Sequence, residues 1–574
     1  MGYNIGIFVP NSSDRRGSNM IKLIQSVIPT ARCTTINLHM QVPGYWVPKP
    51  NTKASRMKGA GSDDAVAKAL DRITSAQYDA FVCIDFALTQ YLLPARDASS
   101  LKNIDQVAGQ LGEVGGKPLL YHFDPLHVYG RQHDAEHQAG RTLMSAFMLK
   151  KMMNKMQGRK SQERPMRFIL PDTLAELKYA EKLAAQARLN AFDIETSGGF
   201  ISCIGFALDS PLPYTPVIVV PLYVNIAGAQ GMYWESEAMF EAACATVGRI
   251  LGDDVPKVAH NGSYDLTYIF RYGWTVNNYI YDTMLMMHST WPTLPRALYV
   301  GCSMLLQNYR YWKDDAKEVG EDGKTRWQTP TQPEPTWRYW NYNGLDCVNT
   351  LELCLAMLEL WETGDGDGRF PTTSYGYKYA WKTYVRMFAL EFGPCLYMSC
   401  GGIRADLKRQ FALSNQLNSE AADALEDLRV LLDDPDFNPN SPPQVAEMLY
   451  DILDLKPLAR RGRTTDKAVI QKYADMHPIY ADVIGRIKAA KEPRNNASKY
   501  GSMPFFDDTW FMYQLKAAVT TTRRLSSAKH NLGFGTNVQN MPKSMRVFCV
   551  AEEGELLVFS DYSQSDSYFV ALES

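Results

Sequence analysis

Asn190-Ala191-Phe192-Asp193-Ile194-Glu195-Thr196-Ser197 is a short apolar run that carries two acids set two residues apart. Side chains alternate along a strand, so Asp193 and Glu195 share one face while Phe192 and Ile194 take the other. Two neighbouring carboxylates on a buried strand repel each other and lose hydration. A divalent cation that prefers hard oxygen ligands, such as Mg²⁺ or Mn²⁺, relieves both costs. Taken alone, the stretch more often marks a solvated strand with two chance acids than a metal site.

Two later stretches bear on that choice. In Lys257-Val258-Ala259-His260-Asn261-Gly262-Ser263-Tyr264-Asp265-Leu266, Asn261 can cap a helix whose apolar stripe is Leu266, Ile269 and Phe270. Asp265 then sits in the first turn, where the helix dipole tolerates a negative charge. Capping accounts for Asn261 but not for Asp265 beside Tyr264. In Tyr342-Asn343-Gly344-Leu345-Asp346-Cys347-Val348, Tyr342 and Asp346 are four apart and share a helix face.

Working outward, the chain of 574 residues is too long for one core and divides into several domains. With 45% apolar and 21% charged residues it has the composition of a soluble globular protein, and a net charge of −2 points to neither a basic nor an acidic partner. A local basic groove beside an acidic site would cancel in that total. The ten cysteines include no C-x-x-C pair, which fits reduced thiols rather than zinc or a disulfide framework. No apolar run is long enough for a membrane helix, Val217 to Val224 being broken by Pro221, and no signal-peptide pattern opens the chain. The expectation is a cytoplasmic protein with no membrane partner.

Residues 1–165 read as an α/β domain, with strands at Ile5–Val9, Ala80–Ile84 and Pro118–Tyr121 and a helix over Asp64–Ile73. The run Lys150–Arg164 reads as a helix end and linker. His122, His127, His133 and His137 lie near one another without the spacing of a metal site. The role of this domain is not legible. Next, Phe168–Leu170, the helix Leu174–Ala185, the acid strand, Cys203–Leu208 and Val217–Val220 read as one sheet with its helices.

Asp-x-Glu, then Asn-x-x-x-Asp, then Tyr-x-x-x-Asp, in this order, resembles the DEDD exonucleases of the tyrosine type. Among them it is similar to the 3′→5′ proofreading domain of phage-type family A DNA polymerases, as are Tyr281-Asp282-Thr283-Met284 and Tyr311-Trp312-Lys313-Asp314. The resemblance implies an α/β RNase H-like exonuclease domain over residues 166–365. Its catalytic residues would be Asp193, Glu195, Asp265, Tyr342 and Asp346, the four acids holding two Mg²⁺ or Mn²⁺ ions about 4 Å apart. Tyr342 would orient the attacking water, and Asn261 would touch DNA.

The rest resembles the front part of a family A polymerase module. Glu391–Asp406 is similar to the palm entry. Residues 366–505 would be that entry and a mainly helical thumb, and 506–574 a partial α+β palm. In the thumb, the basic series Arg486, Lys488, Lys491, Arg494 and Lys499 is a solvated face or a phosphate contact. Thr522-Arg523-Arg524-Leu525-Ser526-Ser527 and Asn537-Val538-Gln539-Asn540-Met541-Pro542 resemble primer-template motifs, which implies DNA contacts for Arg524, Gln539 and Arg546. Arg523 stands where the family usually has glycine, so the local backbone is expected to differ. Leu556–Gln564 resembles palm motif A, with an apolar strand over Leu556–Ser560 and Asp561 as a polymerase metal ligand. Asp566 stands where a glutamate usually blocks the 2′-hydroxyl.

No fingers helix and no His-Asp-Glu turn follow within these residues. The expectation is therefore the N-terminal part of a split or truncated family A polymerase, with proofreading activity and binding of single-stranded 3′ ends and primer-template duplex. A second polypeptide would carry polymerase motifs B and C. A free-standing exonuclease and a non-catalytic DNA-binding scaffold are the alternatives.

Overall fold

In a computed structural model of the chain, residues 2–10, 14–38, 60–93, 103–126, 135–159, 161, 163–226, 229–319, 325–327, 336–363, 375–458, 462–558 and 560 are described. The chain forms two compact units, Met1–Phe392 with Ala517–Arg524, and Gly393–Lys516 with Leu525–Ser574.

The first unit begins with a five-stranded sheet of β1 (Asn4–Phe8), β2 (Arg32–Ile36), β3 (Ala80–Cys83), β4 (Leu111–Val114) and β5 (Lys117–Tyr121), in the order β2-β1-β3-β5-β4. Neighbours run parallel except β4, which pairs antiparallel with β5. Every residue of β3 is buried, as expected for a strand covered on both faces. Phe8, Leu70, Phe81 and Leu119 lie in the core of this sheet and its helices. All ten cysteines are free.

A second, six-stranded sheet follows in the same unit. It comprises β6 (Met166–Ile169), β7 (Leu189–Ser197), β8 (Phe200–Asp209), β9 (Thr215–Pro221), β10 (Lys257–Ala259) and β11 (Tyr279–Asp282), ordered β11-β10-β7-β8-β9-β6. The meander β7-β8-β9 is antiparallel, while β10 pairs parallel with β7, β11 with β10 and β6 with β9. Gly198 (φ 60°) and Gly199 (φ 85°) make the tight turn from β7 to β8, which needs positive φ at both positions. A bulge between Glu195 and Thr196 interrupts the β7–β8 register just past the two acids.

The long helix Thr336–Thr363 packs across β7, β8 and β9. Two glycines allow that close approach. A Cβ on Gly205 would lie 2.3 Å from Asn343 Oδ1, and one on Gly344 would lie 2.4 Å from the Phe168 ring.

The helix Tyr375–Leu390 also groups with this unit. The physical reason is a buried anchor: the Tyr384 hydroxyl accepts from Asp282 N at 2.9 Å and donates to Ile280 O at 2.7 Å.

The second unit is built on the helix Leu407–Leu432, which Asp406 caps by accepting from Arg409 N at 3.1 Å. The helix Ala481–Asn496 packs along it. One core gathers Leu428, Val445, Leu449, Tyr473, Ile484 and Ile487; another gathers Leu413, Tyr500, Phe511 and Phe548. Among the described residues its strands form two short antiparallel pairs, Ile403–Arg404 with Trp510–Phe511 and Gln514–Lys516 with Ser526–Ala528.

The strand expected over Leu556–Ser560 is not formed among the described residues. Leu556 is 88% and Val558 85% exposed, and no strand among the described residues pairs with this stretch to hold it extended. No helix among the described residues is long and apolar enough to cross a membrane.

Candidate metal centre

Strand β7 presents Asp193 and Glu195 on one face, both half-buried. The helix lying over that face carries Tyr342, Asn343 and Asp346 within one turn. This crossing closes the site: Asp193, Glu195 and Asp346 each offer a carboxylate oxygen, and those oxygens lie within 4.8 Å of one another.

Asp346 and Asp193 are each held by specific partners. Lys313 Nζ donates to both oxygens of Asp346 at 2.7 Å and to the Tyr342 hydroxyl at 3.1 Å. Trp312 Nε1 donates to Asp346 Oδ1 at 2.5 Å. Asn343 Nδ2 donates to Asp193 Oδ2 at 2.9 Å and to the Asp193 carbonyl at 3.1 Å. Opposite Asp193 in the β7–β8 register stands Gly205, whose missing side chain leaves room for Asn343.

Asp265 is placed differently from the other three acids. It is buried in the helix Ser263–Ile269, and its Oδ1 accepts from the Ile194 N–H at 2.9 Å, between the two β7 acids. It therefore flanks the cluster while one oxygen is committed to the strand. Tyr264, beside it, meets Thr196 Oγ1 through its hydroxyl at 2.8 Å.

The electrostatics follow from crowding. Burial first, and then the neighbouring Asp346, push the carboxyls of Asp193 and Glu195 well above the usual carboxylate range. Burial pushes Asp265 up to about 8. For Lys313, burial disfavours the charge, but Asp346, Asp193 and Glu195 outweigh it and hold the ammonium charged. One cation against three clustered carboxylates leaves an excess of negative charge on a purely oxygen donor set. That set suits a hard divalent cation.

Asn261 is not the helix cap. Gly262 takes that position without a side-chain bond, and Asn261 adopts φ 63° in the left-handed region. Asp282 explains the difference: its Oδ2 accepts from Gly262 N at 2.8 Å and from the Tyr279 hydroxyl at 2.9 Å, and its Oδ1 accepts from Leu285 N at 3.0 Å. A buried acid thus anchors this turn from the neighbouring strand. Asn261 itself is half-buried at the start of the Asp265 helix.

Among the other expected DNA contacts, Lys488 and Lys499 are exposed and Lys491 half-buried, on or just past the helix Ala481–Asn496. Arg524 is exposed in the first unit. In the second unit Gln539 is exposed, donating to Leu525 O at 3.1 Å, and Arg546 is half-buried, donating to Met541 O at 3.1 Å. Arg523 has φ 60°, the left-handed conformation that glycine adopts without strain, so the backbone keeps the form a glycine would supply. Asp561 and Asp566 lie outside the described residues.

Sequence reasoning missed Asn343 and the grip of Lys313 on Asp346. The available signal for Asn343 was its place one residue after Tyr342, on the turn that faces β7. Asn343→Ala should lower activity by roughly 10–100-fold, the usual loss when a group orienting a metal ligand is removed. Its expected mark in steady-state kinetics is a fall in kcat with little change in thermal midpoint.

A mixed sheet crossed by one long helix, with carboxylates from both meeting at the crossing, defines an exonuclease-type domain of RNase H-like architecture. Residues 168–362 match the 3′-5′ exonuclease family, and residues 408–572 match DNA polymerase family A. The chain thus carries one stretch that matches the 3′-5′ exonuclease family and a later one that matches DNA polymerase family A.

It is 25% identical over 337 residues to DNA polymerase I of Synechocystis sp., covering 57% of this chain and 31% of that one. It is 30% identical over 178 residues to the thermostable DNA polymerase I of Thermus caldophilus, covering 29% of this chain and 20% of that one. These matches span less than a third of the relatives' own length. A solved structure, the POL domain of Pol1 from M. smegmatis in complex with DNA primer-template and dNTP, is 16% identical with a TM-score of 0.47 over 67% of this chain and 59% of that one.

Proposed function

We propose that the chain removes nucleotides from DNA 3′ ends at the Asp193–Glu195–Asp346 centre as a proofreading exonuclease, and that its second unit grips primer-template DNA. The observation that carries the reading is the meeting of these three carboxylates within 4.8 Å. Asp193, Glu195 and Asp346, with Asp265 beside them, would hold two Mg²⁺ or Mn²⁺ ions, which when bound activate a water and stabilise the leaving 3′ oxygen.

The chain's own groups do the rest. Asn343 fixes the Asp193 carboxylate from the helix side. Lys313 sets Asp346 and reaches the Tyr342 hydroxyl. Burial and the nearby carboxylates keep that hydroxyl protonated, so Tyr342 donates a hydrogen bond to the attacking water or the phosphate and does not serve as a base. The test is digestion of a 3′-labelled single strand in Mg²⁺ or Mn²⁺, and digestion from the 5′ end instead would overturn the reading.

The lysines along the helix Ala481–Asn496 and just past it carry the DNA-binding part of the reading. Neutralising Lys488, Lys491 and Lys499 together should flatten the dependence of log affinity on log salt by about one unit per lost phosphate contact. A fluorescence-anisotropy titration of primer-template at several salt concentrations measures it. An unchanged slope would leave these lysines as a solvated face.

In the same reading Asp561 supplies one polymerase metal ligand, and extension needs further groups to hold the second cation and neutralise the triphosphate. A polypeptide of these 574 residues is therefore expected not to extend a primer until a segment bearing polymerase motifs B and C is added. Primer extension in the Asp193→Ala background, with all four dNTPs, decides this. Template-directed extension by the polypeptide alone would overturn it.

A further inference from the structure

We propose that the N-terminal α/β domain is a positioning element of the exonuclease site, setting Lys313 and Trp312 against Asp346 through the segment 306–314. The inference rests on the exonuclease reading above and assigns a role to a domain whose sequence shows none.

The segment needs support from outside itself. Residues 306–314 form neither helix nor strand, so no ladder of backbone hydrogen bonds sets their path. Yet this irregular stretch ends in the two side chains that grip Asp346, Trp312 Nε1 at 2.5 Å and Lys313 Nζ at 2.7 Å. A misplacement of about 1 Å in such a group is enough to cost a large part of a catalytic rate.

The N-terminal domain holds the segment at both ends. At the near end stands Lys151, 4% exposed in the helix Ala135–Met156. Its Nζ donates to Leu306 O at 2.9 Å and lies 5.5 Å from the centre of the Tyr309 ring. Leu306 is the C-cap of the helix Leu298–Leu305, where unpaired carbonyls and the helix dipole favour a cation. Gln307 Nε2 returns a bond to Lys151 O at 3.0 Å.

At the far end, Gln106 Nε2 donates to Asp314 Oδ2 at 2.6 Å, one residue past Lys313. Between the two ends, the Tyr309 hydroxyl donates to Gln106 O at 3.3 Å, and Tyr311 N to Gln110 Oε1 at 3.4 Å. The backbones meet closely as well, since a Cβ on Gly109 would lie 2.4 Å from Ser303 O.

Lys151 is the informative residue, because burial of an ammonium works against stability. Burial pushes its pKa down to about 7. A methionine would fill the same space without a charge to desolvate. A lysine amine at this place therefore serves to fix the Leu306 carbonyl rather than to strengthen the fold.

The test uses the full chain and two kinds of variant. Lys151→Met should keep or raise the thermal midpoint while kcat for 3′-end digestion falls 10–100-fold and KM stays within about twofold. The Mn²⁺ concentration giving half the thermal shift should rise at least tenfold, a readout that does not depend on turnover.

Gln106→Glu, which sets a carboxylate against Asp314, should lower kcat similarly. Adding Asp314→Asn to it restores a donor–acceptor pair of reversed sense and should recover most of the rate. Asparagine keeps an oxygen for Lys317, which now donates to Asp314 Oδ1 at 2.8 Å.

Wild-type kcat and Mn²⁺ midpoint in both single variants would overturn the positioning role while leaving the exonuclease reading intact. An inactive wild type would overturn that reading and this inference with it. Should Lys151→Met fail to fold, the Gln106 and Asp314 pair decides alone: rescue supports the role and its absence refutes it.

Discussion

In Asp193→Ala or Asp346→Ala protein, 3′-end digestion is expected to fall by on the order of 10³-fold or more, because each change removes a carboxylate oxygen from the cluster at the centre of the site. The two positions should also behave differently in the absence of substrate. Without Asp346, Lys313 loses both of its carboxylate bonds and remains a half-buried cation facing Asp193 and Glu195. Without Asp193, Asn343 loses its side-chain acceptor but keeps the strand carbonyl. Tyr342→Phe should cost less, roughly 10–100-fold, since it removes an orienting hydroxyl and no ligand. A time course on a 3′-labelled strand, with thermal midpoints as a control for folding, checks all three. Undiminished digestion by the Asp193→Ala/Asp346→Ala protein would place the active site elsewhere.

Mg²⁺ or Mn²⁺ is expected to raise the thermal midpoint of the unit Met1–Phe392 by several degrees in the absence of any DNA. The cause is burial together with like-charge crowding, which drive Asp193 and Glu195 towards their protonated forms. A divalent cation held by the same oxygens removes that repulsion in the folded state only. Binding at a hundredfold excess over Kd contributes about 2.7 kcal/mol of stability. Ca²⁺ should also stabilise the fold, since oxygen ligands accept it. The shift should vanish in the Asp193→Ala/Asp346→Ala protein, whose cluster can no longer hold an ion. It should grow in Lys313→Gln, where the acids have lost their built-in cation and depend more on the added one. Differential scanning calorimetry with and without chelator measures this. A shift of equal size in wild type and the double variant would mean that the cation binds at some other place.

Strand alternation and helical spacing are local, and they determined what could be read from the sequence alone. A period of two puts Asp193 and Glu195 on one face wherever the strand lies, and a spacing of four does the same for Tyr342 and Asp346. The apolar runs of the two large sheets were legible for the same reason, since buried strands such as β3 and β9 read as unbroken apolar stretches.

What tertiary structure alone decided involves partners distant in sequence. Lys313 lies 33 residues from the acid it grips, and no local pattern announces that meeting. Asn261 is a good capping residue by type, yet Asp282, 20 residues after Gly262, takes over the turn and sends Asn261 into the left-handed region. The apolar stretch Leu556–Ser560 has the composition of a strand, but strand geometry persists only where a neighbour supplies hydrogen bonds, and none of the described residues does so. Asp265, which resembles the other acids in sequence, has one oxygen committed to the strand backbone, a distinction that depends on how the helix Ser263–Ile269 lies against β7. The sequence thus determined which side chains share a face, because that depends on backbone period. The fold decided which faces meet, because that depends on burial and on hydrogen bonds between elements far apart in the chain.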